Sequence, residues 1–129
     1  MDYDKAIRTR HTVLDCVISA EKRNDADRVK NPDWGRTNAI GYTPPITFEV
    51  MVEAFGEPSG LAKEAGGNEE QDKNRDQLKV VANWRVQVGD ITLDIYDYKA
   101  TQLYSDEPDY PTVEEFLRVP YRWHVQIVG

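Results

Sequence analysis

The segment VVANWRVQVGDITLDIYDYK, residues 80–99, constrains the fold of this chain more than any other. Apolar and polar residues alternate on both sides of Gly89-Asp90, a pair typical of two-residue hairpin turns. With that turn fixed, antiparallel pairing predicts these partners: Val88/Ile91, Gln87/Thr92, Val86/Leu93, Arg85/Asp94, Trp84/Ile95, Asn83/Tyr96 and Val81/Tyr98. One face of the hairpin is then apolar and the other polar with a charge pair, as cross-strand pairing favours.

Asp97 lies in an unusual place in this register. It falls opposite Ala82, on the same face as Trp84 and Ile95 and at the end of the apolar row. A carboxylate there needs hydrogen-bond partners, which backbone groups or a basic side chain at the rim of the core would supply. The alternative is that Asp97 lines a binding surface together with Tyr96 and Tyr98.

The C-terminal residues predict a short helix and then a further strand. YRWHVQIV, residues 121–128, alternates large apolar side chains with polar ones, which indicates one buried face. Before it, Thr112 and Glu115 form a capping-box pattern after Pro111, and a helix has to stop ahead of Pro120. A helix is therefore expected over about 113–118.

Two helices are predicted in the first half of the chain. Within residues 1–30, apolar residues at helical spacing, with acids early and bases late, indicate an amphipathic helix over about 3–23 that can extend toward residue 29. The sequence ITFEVMVEAFGEP predicts a second, shorter helix with Thr47 as its N-cap and Gly56 as its stop. Pro58 prevents its continuation.

Two segments contain no periodic apolar pattern. Residues 31–45, rich in Pro, Gly, Asn and Asp, are predicted to be a connector with turns, neither strand nor helix. Its rings, Trp34 and Tyr42, either pack on the core or form an exposed aromatic contact site. Residues 59–77 have almost no apolar side chains, which predicts a flexible loop, either an inserted segment or one ordered only by a partner.

These elements together predict one α+β domain over residues 1–129. Its antiparallel sheet is built on the 80–99 hairpin and the C-terminal strand, with helices able to cover one face. The length suits a single domain with a real core. In a sheet of about three strands, the short helices can cover one face. The other face, with Tyr96 and Tyr98, is expected to be left for a partner or for a second copy of the chain.

Composition limits the cellular compartments and the classes of partner that suit this chain. The chain has one cysteine, so an intrachain disulfide is excluded and a reducing cytosol is expected. The first ten residues are charged throughout, and no apolar run approaches the roughly 18 residues of a membrane span. The net charge is -7, and residues 90–129 hold eight Asp and Glu against three Lys and Arg. This charge disfavours direct nucleic-acid binding unless a local basic patch overrides it, and it favours a basic partner.

The residues that usually carry catalysis are scarce. The two histidines, His11 and His124, are not spaced as metal ligands, and Cys16 lies beside the apolar stripe of the first helix, where an inert buried thiol is expected. The abundant carboxylates are a weak signal in an acidic chain. No phosphate-binding glycine loop follows a strand. We therefore expect a protein that is not an enzyme and holds no metal or cofactor.

The late part of the chain instead combines tyrosines with acids. Tyrosine supplies rigid contact area at interfaces, and an acidic surround steers basic partners. The residues predicted to bind a partner are Tyr96, Asp97, Tyr98, Tyr104, Asp106, Glu107 and Asp109. The alternative is a small-molecule site in which rings stack a nucleotide base and arginines hold its phosphate. For that alternative the predicted residues are Arg8, Arg10, Trp34 and Arg36.

Several short motifs occur in one order over residues 48–129. They are FGEP (55–58), Lys79-Val80 with Trp84, Gly89-Asp90, IYDYK (95–99), TVEEF (112–116) and Trp123-His124-Val125. In this pattern the chain resembles a group of small accessory proteins encoded by bacteriophages, notably those of actinobacteria. The resemblance implies a phage or prophage origin and an accessory role, and proteins of this sort often bind host machinery. It supplies no active residues.

The function expected from residues and resemblance together is inhibition. A phage-encoded protein in the bacterial host cytosol would block a host defence complex, in the manner of an anti-CRISPR protein, by occupying a basic groove with its acidic, aromatic surface. The alternative function is sequestration of a nucleotide immune signal. Inhibition of a defence complex requires a host protein partner. Sequestration of a nucleotide requires a basic pocket within this acidic protein.

Overall fold

The computed structural model describes residues 7–11, 39–89 and 91–128. Within them the chain forms a five-stranded antiparallel sheet and a few short helices, so the predicted α+β class is confirmed. The elements are β1 Ala39–Ile46, α1 Phe48–Phe55, β2 Gly60–Leu61, a 3₁₀ helix Lys63–Ala65, α2 Glu69–Lys73, β3 Ala82–Val88, β4 Ile91–Tyr96, α3 Val113–Phe116 and β5 Tyr121–Val128. The strand order across the sheet is β1-β5-β4-β3-β2.

The hairpin of β3 and β4 is the centre of the sheet. All six predicted pairs from Val88/Ile91 to Asn83/Tyr96 form. The seventh, Val81/Tyr98, was wrong, because the ladder ends at Asn83 and Tyr96. Beyond that point the backbone N–H groups of Val81 and its neighbour bond to the side chain of Asp97.

The core covers one face of the sheet. Trp84 and Trp123, on β3 and β5, meet edge to face with their ring centroids 5.2 Å apart, a favoured geometry for aromatic pairs. Each buried indole N–H also has an acceptor: Trp84 Nε1 donates to the carbonyl of Gly56 and Trp123 Nε1 to that of Ile46, both at 2.9 Å. These two carbonyls flank α1 on either side, so the tryptophans fix both ends of that helix on the sheet.

Local signals determine the bounds of the helices. The Thr47 hydroxyl accepts from the Val50 N–H at the start of α1, and Gly56 ends the helix with a φ of 84°, which favours glycine. Thr112 and Glu115 form the predicted capping box of α3. The α-helical turns of α3 end at Phe116, two residues earlier than predicted.

The prediction that residues 31–45 contain no strand was wrong, because β1 begins at Ala39. β1 is an edge strand and its pairing with β5 is interrupted by irregularities, including one between Tyr42 and Pro45. Proline is tolerated at an edge because its missing N–H faces no neighbour. The buried Thr43 hydroxyl holds the strand in place by accepting from the Trp123 N–H at 3.0 Å.

Residues 59–77, predicted to be a flexible loop, instead contain regular secondary structure, so the prediction of a loop was also wrong. The segment contains β2, the 3₁₀ helix and α2, and Leu61 is buried. Polar contacts replace apolar periodicity there: Asn68 and Gln71 form a capping box, and the Arg75 guanidinium donates to the Val80 carbonyl and pairs with Asp72. Sequence periodicity cannot detect such contacts, because they join side chains to backbone at irregular spacing.

Residues 7–11 are helical. The rest of the predicted helix over 3–23, with Cys16, lies outside the described residues, as do Trp34 and Arg36.

Candidate functional site

The face of the sheet opposite the core carries a row of aromatic rings. Strand register places Tyr42 of β1 beside His124 of β5, His124 beside Tyr96 of β4, and Tyr96 beside Asn83 of β3. The His124 ring lies 4.7 Å from the Tyr42 ring and stacks on the Tyr96 ring at 5.3 Å. The Tyr96 hydroxyl donates to Gln126 Oε1 at 2.9 Å, which fixes its orientation. The row is therefore a preformed aromatic surface on the face of the sheet away from the core.

Tyr98 and Tyr104 extend this row past the end of β4. Tyr98 meets Tyr96 edge to face at 6.4 Å and is 39 % exposed; Tyr104 is 42 % exposed. The Lys99 ammonium lies between them, 5.1 Å from the Tyr98 ring and 5.2 Å from the Tyr104 ring, within the range of cation–π attraction. We call Tyr42, Tyr96, Tyr98, Tyr104 and His124 the tyrosine surface.

The backbone at Lys99 is held in an uncommon conformation. Its φ is 54°, in the left-handed region that non-glycine residues rarely adopt. The Lys99 N–H donates to the Lys79 carbonyl at 2.9 Å, which keeps the bend in place. Strained backbone of this kind clusters at binding sites and persists where surrounding contacts impose it. Here its consequence is that a cation sits between two exposed rings.

The acidic residues predicted to bind a partner lie in the loop after Tyr104. Asp106, Glu107 and Asp109 are all exposed, and Tyr110 returns to within 6.2 Å of the Tyr104 ring. The loop is closed at its base, where the N–H of Gln102 donates to the carbonyl of Pro111 at 2.8 Å and its side-chain amide to that of Tyr110 at 3.0 Å. We call residues 105–110 the acidic loop.

Asp97 does not belong to this surface, so its assignment to the partner-binding set was wrong. The side chain is fully buried. Its carboxylate accepts from the Val81 N–H at 2.9 and 3.0 Å and from the Ala82 N–H at 2.9 Å. Of the two possibilities left open by the sequence, hydrogen bonding to backbone at the rim of the core is the one observed. Burial raises the pKa of Asp97 to about 6, against the lowering effect of these hydrogen bonds.

Partial burial also shifts the pKa values of two groups of the tyrosine surface, His124 and Tyr96. Removal from water lowers the pKa of His124, which favours the neutral imidazole. Burial raises the pKa of the Tyr96 hydroxyl, and the nearby Asp94 charge adds to this. Both shifts favour the uncharged rings of His124 and Tyr96, which offer flat faces and hydrogen-bonding edges to a partner.

Cations border the surface, although the chain as a whole is acidic. The Arg122 guanidinium lies 5.6 Å from the centre of the Tyr42 ring, and the Lys79 ammonium 6.0 Å from that of Tyr98. No role was predicted from the sequence for these two residues, for Lys99 or for His124. The alternation of β5 places His124 and Arg122 on its polar face, but the position of β1 beside β5 cannot be read from periodicity.

The alternative ligand residues are not brought together by the described part of the chain. Arg8 and Arg10 are exposed on the helical residues 7–11, while Trp34 and Arg36 lie outside the described residues.

No family model, curated protein or solved structure matches this chain. The resemblance to phage accessory proteins therefore stays a prediction. Within residues 7–11, 39–89 and 91–128, no three His, Cys, Asp or Glu side chains are grouped as metal ligands. No helix in the same ranges is long and apolar enough to cross a membrane.

Proposed function

We propose that this protein is a non-enzymatic binding protein that docks a protein partner on the tyrosine surface and the acidic loop. The observation that carries the proposal is the continuity of these two features. Exposed Tyr98 and Tyr104 are bridged by Lys99, and the chain passes from Tyr104 directly into the acidic loop.

Exposed tyrosines on a rigid support suit this role. Tyr and Trp provide large contact area at low entropic cost and are enriched among the residues that dominate binding energy. Tyr42, at 53 % exposure, lies on a strand that is paired with β5, so it too is presented by the sheet. A partner would meet side chains whose positions are already fixed.

The charge of the acidic loop selects a partner with a basic contact surface. Three exposed carboxylates within four residues, in a chain of net charge -7, attract a basic surface and repel an acidic one. The nearby cations Lys79, Lys99 and Arg122 each lie within cation–π range of a ring of the tyrosine surface. Steering by the loop should weaken as salt rises.

The biological role that we propose is the one expected from the sequence. The partner would be part of a host defence complex, and occupation of its basic groove by the acidic loop would inhibit it. The resemblance to bacteriophage accessory proteins supports this context, and the bacterial cytosol is the compartment in which such an inhibitor would act.

The test is comparative capture from lysate of the bacterium that carries the gene, with native mass spectrometry of the retained proteins. The double variant Tyr98→Ala/Tyr104→Ala should bind the captured partner at least about 30-fold more weakly, since even one central interface residue contributes about 2 kcal/mol or more. The control Val119→Ala truncates another exposed apolar side chain and should leave affinity unchanged.

Charge reversal tests the acidic loop separately. The triple variant Asp106→Lys/Glu107→Lys/Asp109→Lys should bind more weakly, and its loss should shrink as salt is added. The matched triple Glu49→Lys/Glu57→Lys/Glu69→Lys makes the same change in net charge at exposed positions elsewhere. Equal affinity for wild type and both triples would contradict steering by the loop. An affinity of the double tyrosine variant equal to that of wild type would contradict docking on the tyrosine surface.

A further inference from the structure

A cleft opens beside the tyrosine surface, between the segment that ends α2 and the outer face of β3 and β4. Its volume is about 510 Å³, within the range of roughly 300–1,000 Å³ for small-molecule sites. Tyr96 and Tyr98 line one part of it, and Lys73, Arg75 and Arg85 line others. It is distinct from the acidic loop, none of whose residues lines it.

Two of the three cations that line the cleft, Lys73 and Arg85, are accessible to a ligand, whereas Arg75 is paired with Asp72. Within the described part of the chain, Lys73 and Arg85 make no hydrogen bond or ion pair through their charged groups, and both are exposed. Two acids share the cleft, and each is hydrogen-bonded within the protein. Asp94 also lies opposite Arg85 across the hairpin, so its charge partly offsets that of Arg85. One oxygen of Asp76 accepts from the N–H groups of residues 78 and 79, and Asp94 accepts from the Asn83 amide at 3.2 Å.

The rings give the cleft a second kind of recognition. Tyr98 is partly exposed and meets Tyr96 edge to face, so one ring holds the orientation of the other. Flat heterocycles stack on such rings whatever their substituents, because every base has a π face. The cleft therefore combines two exposed cations and a stacking surface within one volume.

We propose that this cleft binds an anionic ligand that carries a flat heterocycle, of the nucleoside monophosphate class. The heterocycle lies against Tyr98, and the phosphate is held by Arg85 and Lys73, with the Arg85 fork suited to two phosphate oxygens. This site uses none of the residues that the sequence suggested for a nucleotide: Arg8 and Arg10 do not line it, and Trp34 and Arg36 lie outside the described residues. It does not depend on the proposed protein partner.

Calorimetric titration of the full chain with the four nucleoside 5′-monophosphates at low salt tests the proposal. We expect saturable binding of at least one, weakened about tenfold or more by Arg85→Gln, because a hydrogen bond to a charged group contributes on the order of a tenfold effect. Arg85→Lys should lose less, since it keeps the charge but not the fork. The control Arg118→Gln removes an exposed arginine paired with Glu114 on α3 and should bind like wild type.

Two further probes separate the halves of the site. Inorganic phosphate alone and the matching nucleoside alone should each bind more weakly than the nucleotide, and Tyr98→Leu should weaken the nucleotide while leaving inorganic phosphate unchanged. Amide NMR shifts on titration should map to the backbone around Asn83 and Arg85. The proposal is overturned by absence of saturable binding for all four nucleotides, by equal affinity of nucleotide and inorganic phosphate, or by equal loss in Arg85→Gln and Arg118→Gln.

Discussion

The buried carboxylate of Asp97 allows a quantitative test of the balance between burial and hydrogen bonding. Burial favours the neutral acid, whereas the N–H donors of Val81 and Ala82 favour the carboxylate. The folded-state pKa of about 6 means that burial is the stronger effect, because the ordinary value is 3.8. The substitution Asp97→Asn removes the charge with little change of shape.

The sign and size of the effect are given by linkage. Because the pKa of Asp97 is higher in the folded state, the folded protein holds the proton more tightly than the unfolded chain. The stability that this provides is fully present below pH 3.8 and is lost as the pH rises through about 6. A difference of about two pKa units corresponds to about 3 kcal/mol. The free energy of unfolding of wild type minus that of Asp97→Asn should therefore fall by about 3 kcal/mol between about pH 3 and pH 7.

Urea unfolding at several pH values, followed by the fluorescence of the buried Trp84 and Trp123, measures this difference. Other titrating groups cancel in the comparison when they act independently of Asp97. As a control, Asp97→Ala leaves the N–H groups of Val81 and Ala82 without their acceptor and should destabilise the fold by about 2–5 kcal/mol at neutral pH. A wild-type minus Asn difference that stays constant or rises with pH would refute the dominance of burial.

Three further predictions address the fold and the tyrosine surface. Gly67→Ala should destabilise the protein by about 1–3 kcal/mol in urea unfolding, since a Cβ there would lie 2.0 Å from the Leu61 carbonyl oxygen. The control is Lys63→Ala at an exposed position. A change below about 0.5 kcal/mol in Gly67→Ala would contradict the close packing. Thr112→Ala should lower the free energy of unfolding by about 1 kcal/mol through loss of the α3 cap. Arg118→Ala breaks an exposed ion pair and should lower it by less than about 0.5 kcal/mol. Equal losses would argue against the cap. The His124 ring should titrate by NMR with a midpoint below 6.5, because burial lowers its pKa, and a midpoint at or above 6.5 would show that the Tyr42 and Tyr96 rings stabilise the imidazolium instead.

The hairpin shows how far sequence reasoning reaches in this chain. A two-residue turn and a period of two set the register, so the six pairs from Val88/Ile91 to Asn83/Tyr96 could be predicted from the residues alone. The same register placed Asp97 on the core side of β4. It could not decide between a buried acceptor and a surface residue, because that depends on Val81 and Ala82 turning their N–H groups toward the carboxylate.

Edge and polar segments were the least predictable. The prolines and glycine of β1 are typical turn residues, yet at an edge they are compatible with a strand. The segment from Gly60 to Arg75 has no apolar stripe and is held by caps and by a buried guanidinium, which periodicity does not register. Both errors arose from taking a missing apolar pattern as a missing structure.

Elements whose signals are local could be derived from the sequence: the β3–β4 turn and register, the alternation of β5, and the caps of α1 and α3. Which side chains form a surface depends instead on the assembled sheet. Tyr42, Tyr96 and His124 meet because β1 and β4 lie on either side of β5, and strand order depends on how the whole sheet buries its apolar face. The cations beside the rings, and the cleft next to them, result from that same assembly.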